Sequence, residues 1–309
     1  MFALRVRFPQ NWPGWHVSEY VLNESLDLDI SSPHQDYGKP TVVTTTVESE
    51  MRSDYWSDCP VFRGYIRDTD CKKLLSSYSL PPLSTISSGG KIYPTSSAST
   101  AVPVVLKFAM REDLVEDLIQ EAAVYFGPLK SLQGKAIPRC LGFYTGIGEG
   151  GQEIACLMLE YWGEALKTPF PMLPLGLRIK ILQRLGELHR CGVHHGDFAE
   201  RNVLQCNNDV RLIDFDLVEG HECDCDAKFD FDLGSPPDVD RVGCTLLWEI
   251  GWEMGIWEDM EECENASSNS SEFGISGGLG SSSGSESDLG SDLGPRLAKD
   301  LSLDDGRQG

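Results

Sequence analysis

Long apolar runs are missing from this sequence. No window approaches the roughly 18 consecutive apolar residues of a membrane-spanning helix, so no span is expected. Residues 1–15 carry two arginines but no apolar stretch after them, and they do not read as a secretory signal. The chain is therefore expected inside the cell, in cytoplasm or nucleus. In that reducing setting its ten cysteines read as free thiols rather than as a disulfide framework. Basic residues are scarce too: 26 Lys and Arg face 48 Asp and Glu, a formal net charge of −22. A field of that sign repels nucleic-acid backbones and anionic membrane surfaces, which removes both as expected partners.

The chain has 309 residues, 40% of them hydrophobic, enough for one sizeable domain or two small ones. Residues 42–47 (VVTTTV) and 61–66 are short β-branched or apolar runs and predict strands, with Trp12, Trp15, Tyr20, Tyr55, Trp56 and Phe62 available to seed a small core. Residues 1–80 form an N-terminal extension in this reading, partly β and without evident chemistry. Ser, Gly and Pro give residues 84–99 loop composition. Strands follow at 102–108, 137–144 and 153–161, the last two joined by a turn with Gly146, Gly148, Gly150 and Gly151. A helix is predicted over 112–125, where Leu114, Leu118, Ala122 and Tyr125 recur at helical spacing, and a clearer one over 175–191, with the stripe Leu177, Ile181, Leu185, Leu188 and Gly192 at its C-terminal end. Short strands are expected at 193–195, 202–204 and 210–214, and one apolar helix over 239–252. From residue 258 Ser and Gly dominate, with twelve acidic residues against three basic ones, so 258–309 reads as a disordered acidic tail.

The chemistry concentrates in His195-Gly196-Asp197-Phe198-Ala199-Glu200-Arg201-Asn202 and in Leu212-Ile213-Asp214-Phe215-Asp216. Phosphoryl transfer from ATP needs a carboxylate to accept the attacking hydroxyl's proton, and oxygen ligands to hold magnesium against the phosphates. An Asp and an Asn five positions apart can supply the base and one metal ligand, and an Asp at a strand end twelve residues later can supply another. Each residue taken alone has an ordinary structural explanation. A lone strand lysine is usually an edge residue, and His195 reads as a buried scaffold histidine. The order and spacing of the whole series carry the weight.

That series resembles the catalytic loop and metal-binding motif of the protein-kinase fold, H-R-D-x-x-x-x-N and D-F-G. It is nearest to the kinase-like proteins abundant in fungi, through HGD, DFD and residues 120–142 (QEAAVYFGPLKSLQGKAIPRCLG). The resemblance implies an α+β, two-lobed fold: a small β-rich N-lobe over 81–160 and a truncated helical C-lobe over 161–257. It implies that Asp197 is the catalytic base, that Asn202 and Asp214 hold magnesium, and that Lys107 contacts the α- and β-phosphates of ATP. Glu121 is implied as the helix partner of Lys107, with Glu112 and Glu116 as rivals. Met158, Glu160 and Trp162 fall in the implied adenine hinge, which binds through backbone groups. Asp238 and Gly243 match the D-x-x-x-x-G that anchors the catalytic loop from below. The activity implied is ATP- and magnesium-dependent phosphotransfer, foremost to a protein hydroxyl. A binding module without turnover and a small-molecule phosphotransferase are the alternatives, and the acceptor stays open.

Several departures accompany the match. No G-x-G-x-x-G precedes Lys107, where Gly89-Gly90 is the one candidate. Gly196 stands where many kinases have arginine, Asp216 replaces the glycine of DFG, and no A-P-E follows. The stretch from Phe198 to Asn202 resembles the tyrosine-kinase loop D-L-A-A-R-N, but the segment after Asp214 is too short to argue tyrosine specificity. Finally, His221-Glu222-Cys223-Asp224-Cys225 gathers soft ligands but lacks the paired C-x-x-C of a structural zinc site, and on sequence alone it does not make one.

Overall fold

In the strands near the N-terminus, buried residues largely alternate with more exposed ones, so that one face of each is buried while the other meets water. β1 (Phe2–Arg7), β2 (Glu19–Glu24), β3 (Thr41–Val47) and β4 (Val61–Arg67) follow this pattern. After α1 (Asp68–Ser77) come β5 (Ala101–Ala109), α2 (Glu112–Phe126), β6 (Cys140–Ile147) and β7 (Glu153–Glu160). The short β8 (Glu164–Ala165) precedes α3 (Leu175–Arg190), β9 (Val193–His195), β10 (Val203–Cys206), β11 (Asp209–Leu212) and β12 (Val218–Gly220). α4 (Val239–Val242) and α5 (Thr245–Glu253) complete the elements. These come from a computed structural model that describes residues 1–8, 17–25, 39–48, 59–83, 101–223, 225 and 237–257. The chain divides into two units, Met1–Ser268 and Asn269–Gly309, and all described residues lie in the first.

Seven strands close into a barrel in the order β1-β2-β6-β7-β5-β4-β3, shut by the parallel pairing of β1 with β3. Sequence reasoning expected a small β-rich lobe beginning near residue 81. The barrel instead draws its strands from both sides of that position: β4 and β5 run antiparallel from Val61↔Lys107 to Arg67↔Ala101. Its interior is filled by Leu4, Leu22, Val43, Phe62, Leu106, Phe108 and Met158, among others. Phe62 meets Phe8 and Phe108 edge to face, with centroids 5.9 and 6.0 Å apart, the arrangement that aromatic quadrupoles favour.

β7 is buried along nearly its whole length because both its faces are covered. Ile154, Cys156 and Met158 point into the barrel, while Ala155, Leu157 and Leu159 join a second core with α2 and α3. β5 alternates in the same way: Val104, Leu106 and Phe108 face the barrel, Val105 and Ala109 the second core. Position 107 lies on the outward row, so its lysine points toward α2.

Two expectations are corrected. The apolar stretch 239–252 is not one helix. Gly243 takes the left-handed conformation (φ 72°) and ends α4, Cys244 is extended, and α5 begins at Thr245. A glycine in that conformation is a common helix stop, and here it outweighs the apolar periodicity. The amphipathic α1, which buries Cys71, Leu74 and Leu75, falls inside the expected extension, where only strands were foreseen. Of the aromatics assigned to a small core, Tyr20 and Phe62 are buried, while Trp12, Trp15, Tyr55 and Trp56 lie outside the described residues, as do the expected loop 84–99 and the acidic tail 258–309. The nine described cysteines are free thiols. Among the described residues no helix is long and apolar enough to cross a membrane.

Candidate active site

The site is built where β5, α2 and the loops around β9–β11 converge. On β5, Lys107 projects from the outward row and its Nζ lies 2.7 Å from Glu121 Oε2 and 2.5 Å from Asp214 Oδ1. Glu121 sits on the buried side of α2, its side chain only 1% exposed, whereas the rival positions Glu112 and Glu116 are exposed. The helix register therefore decides the partner: Glu121 falls on the stripe with Leu118, Ala122 and Tyr125, which packs on β7. Burial alone would lower the pKa of Lys107. The Glu121 and Asp214 carboxylates outweigh it and hold the ammonium well above its ordinary range. Burial pushes the Glu121 carboxyl up, against the pull of Lys107.

Asp214 follows β11 and has φ 71°, a conformation that residues other than glycine seldom adopt. The residues around it supply the restraint that such a backbone needs. Phe215 is fully buried, with ring centroids 5.4 Å from Tyr125 and 5.3 Å from His195. His195 Nε2 lies 2.9 Å from the Ile213 carbonyl oxygen. A carbonyl can only accept, so Nε2 carries the proton and the ring acts as a brace. Burial pushes the His195 pKa down, partly opposed by the Ile213 carbonyl and by the charges of Asp214, Asp197 and Asp216. The left-handed residue of the motif is thus Asp214. Position 216 is not among the positive-φ residues, so aspartate there meets no left-handed strain.

The loop from Gly196 to Asn202 is held by polar bonds. Gly196 N donates to Leu217 O at 2.8 Å, and a Cβ at Gly196 would stand 3.0 Å from that oxygen. The buried Asn202 donates its amide to the Asp197 carbonyl at 2.8 Å and to Asp197 Oδ2 at 3.2 Å, leaving its Oδ1 as the acceptor for a cation. Phe198 stacks on Phe170 at 5.0 Å and 8°, and Glu200 accepts the Phe170 amide at 2.9 Å. Arg201 reaches both carboxylate oxygens of Asp197 at 2.6 Å. That hydrogen bond is the main cause that holds the Asp197 carboxyl below the usual carboxylate range. Sequence reasoning assigned no role to Arg201. The signal was its position four residues after Asp197; it lies on the 3-10 segment Glu200–Asn202.

The hinge residues present no free charged side chain. Met158 points into the barrel. Glu160 is buried and binds Arg139 at 2.8 Å and Arg211 at 2.7 Å, and Arg211 lies over the Trp162 ring at 4.3 Å. The Glu160–Arg139–Arg211 cluster was not foreseen, because its members come from three distant segments. Asp238 is exposed at the start of α4, and among the described residues its side chain forms no hydrogen bond to the loop 195–202, so the anchoring role implied for it is not realised there.

Asn202 and Asp214 offer hard oxygen donors, and the Asp214 side chain is 33% exposed beside the half-buried Lys107, a donor set suited to magnesium. Lys107, Glu121 and Asp214 meet in one ion cluster, with Lys107 and Asp214 more than a hundred residues apart in sequence; Asp197 and Asn202 form a hydrogen-bonded pair, and Ile213 N, next to Asp214, donates to the Asn202 carbonyl at 3.0 Å.

No protein-family model matches the chain. Among curated proteins, it is 35% identical over 68 residues to the KEOPS complex subunit Bud32 of Pyrococcus abyssi, a stretch that covers 20% of this chain and 31% of Bud32. The chain thus spans less than a third of that relative's length. The similarity, together with the mixed α+β architecture, supports a protein-kinase-like relationship.

Proposed function

We propose that this chain is a kinase-like phosphotransferase that uses ATP and magnesium and phosphorylates a hydroxyl group, in the first instance on a protein. The barrel and α2 act as its small lobe and the elements from β8 onward as a truncated large lobe, in the manner of the fungal kinase-like proteins that the HGD and DFD motifs resemble. The observation that carries the proposal is the ion cluster of Lys107 with Glu121 and Asp214 at 2.7 and 2.5 Å, joining residues of a strand, a helix and a loop. In this reading Lys107 binds the α- and β-phosphates and Glu121 fixes it. Asn202 and Asp214 hold magnesium, which when bound neutralises phosphate charge. The backbone from Met158 to Trp162 receives the adenine. Asp197 takes the proton of the attacking hydroxyl as its oxygen bonds to the γ-phosphorus and the bond to the β-phosphate oxygen breaks.

One observation favours a second reading, a binding module without turnover. Arg201 occupies both oxygens of Asp197, the atoms a base needs. The two readings separate on Asp197→Asn. A base acts only in the transition state, so the variant should bind ATP with unchanged affinity yet lose about a hundredfold or more in phosphate transfer. Equal trace turnover in the variant and the natural chain would establish the binding module instead.

A further inference from the structure

The four side chains His189, His221, Cys223 and Cys244 meet away from the phosphotransfer site. Their ligand atoms all lie within 4.8 Å of one another. His189 is the next-to-last residue of α3 and is 1% exposed, while Cys244 is 8% exposed at the start of α5. His221 and Cys223 follow β12 and are half-buried. The backbone places these groups before any ligand is considered. β12 pairs with β9 through Gly220↔Val193, and His221 N donates to Gly192 O at 3.0 Å, which seats the imidazole beside the end of α3. The left-handed turn at Gly243 reverses the chain and brings Cys244 to the same point.

Cys244 Sγ lies 3.5 Å from His189 Nδ1 and 3.6 Å from His221 Nε2. A zinc ion with Zn–S of about 2.3 Å and Zn–N of about 2.0 Å at tetrahedral angles sets sulfur and nitrogen about 3.5 Å apart. The His189 and His221 rings stand 4.3 Å apart at 62°, so neither blocks the centre by stacking on the other. Two thiolates balance the charge of a divalent cation, and a set of two sulfurs and two nitrogens selects zinc over magnesium or calcium. All four positions would be filled by protein, which makes the site structural, with no open place for catalysis.

We propose that His189, His221, Cys223 and Cys244 bind one zinc ion, which clamps both ends of the segment between β12 and α5 to the C-terminus of α3. This segment follows Asp214, and in a chain without A-P-E and with an exposed Asp238 it needs another anchor. The local sequence hides the site because only His221 and Cys223 are neighbours. The inference does not depend on the phosphotransfer reading. A chain that fails to bind ATP but holds zinc leaves it standing, and the reverse result removes it alone.

The test uses the full chain, expressed with zinc and purified under reducing conditions without chelator. Elemental analysis should find about one zinc per chain. Cys223→Ser, Cys244→Ser and His189→Ala should each fall below about a tenth of an equivalent, while Cys225→Ser, whose thiol neighbours Cys223, keeps its zinc. Strong chelator should lower the melting temperature of the natural chain by about 10 °C or more. For variants that do not fold, the natural chain loaded with cobalt(II) carries the test. It should show the absorption of a tetrahedral site together with thiolate-to-cobalt charge transfer. A natural chain with less than about a tenth of an equivalent of zinc would overturn the proposal. So would a cobalt spectrum without thiolate charge transfer, a Cys223–Cys244 disulfide in its place, or loss of zinc in Cys225→Ser with retention in Cys223→Ser.

Discussion

The barrel and the loop region around β9–β12 are held together in different ways. The barrel is closed by seven strands whose inward residues are apolar, so its stability is spread over many interchangeable contacts. The loop region has strands of three or four residues that send Val193, Val203, Val210 and Leu212 into the second core, while the loops between them are tied by single polar bonds: His195 to the Ile213 carbonyl, Asn202 to the Asp197 carbonyl, Gly196 to Leu217. The candidate site residues lie in the second region and at its border with the first. Strand pairing in the barrel places Lys107, while the left-handed backbone at Asp214 is held by the burial of Phe215 together with the bond from His195 to the Ile213 carbonyl. The difference predicts that barrel changes act on stability and loop changes on ligand binding.

The strongest challenge to this division lies at the border. Glu160 binds Arg139 and Arg211, all three buried; Arg139 immediately precedes β6 and Arg211 lies on β11. Glu160→Ala would leave two buried guanidinium groups without their anion and should cost about 3–5 kcal/mol in urea unfolding. A loss under about 1 kcal/mol would mean that water already relieves these charges.

Within the barrel, Leu106 is fully buried beside Phe62 and Met158. Leu106→Ala should cost roughly 3 kcal/mol, read as a lower urea midpoint with unchanged slope. Below the midpoint, ATP affinity in magnesium should stay as it is. A large change in affinity would show that the barrel core and the loop region are coupled.

Asn202→Ala probes the other side. Losing its bonds to Asp197 should cost only about 1 kcal/mol of stability, but magnesium should no longer tighten ATP binding. Magnesium dependence equal to that of the natural chain would remove Asn202 as a ligand.

The smallest effect concerns pH. Burial holds the His195 pKa below its ordinary value, so in acid the unfolded chain binds a proton that the folded chain refuses. Its contribution is complete above about pH 6.5 and is lost as pH falls through that value toward the lower folded pKa. His195→Gln keeps a donor for the Ile213 carbonyl and should flatten this part of the stability profile. An unchanged acid slope would assign the titration to other groups.

Much of the site was readable along the chain. Lys107 in a strand, Glu121 on a helix, and the HGD–Asn–DFD series all carry local patterns, because period-2 and period-3.6 burial leave their mark in consecutive residues. The strands of β3, β4, β5 and β7 and the helices α2 and α3 were legible for the same reason. β1, β2 and α1 were missed, since no chemical motif or long apolar run marks them and their pairing partners lie far along the chain. The break at Gly243 was hidden under an apolar run, where one backbone dihedral outweighed the composition around it.

By itself, then, the sequence determined which residue types are available for phosphate and magnesium chemistry, in what order, and on which local elements. The tertiary structure alone decided that β1 closes on β3, that Glu121 and not Glu112 or Glu116 meets Lys107, and that Asp214, not position 216, takes the left-handed turn. It also decided that His189 and Cys244 join His221 and Cys223 at one point. Strand closure, ion pairing and shared ligand centres join residues far apart in the chain. Such long-range meetings are set by packing and leave no periodic trace in the sequence near either partner.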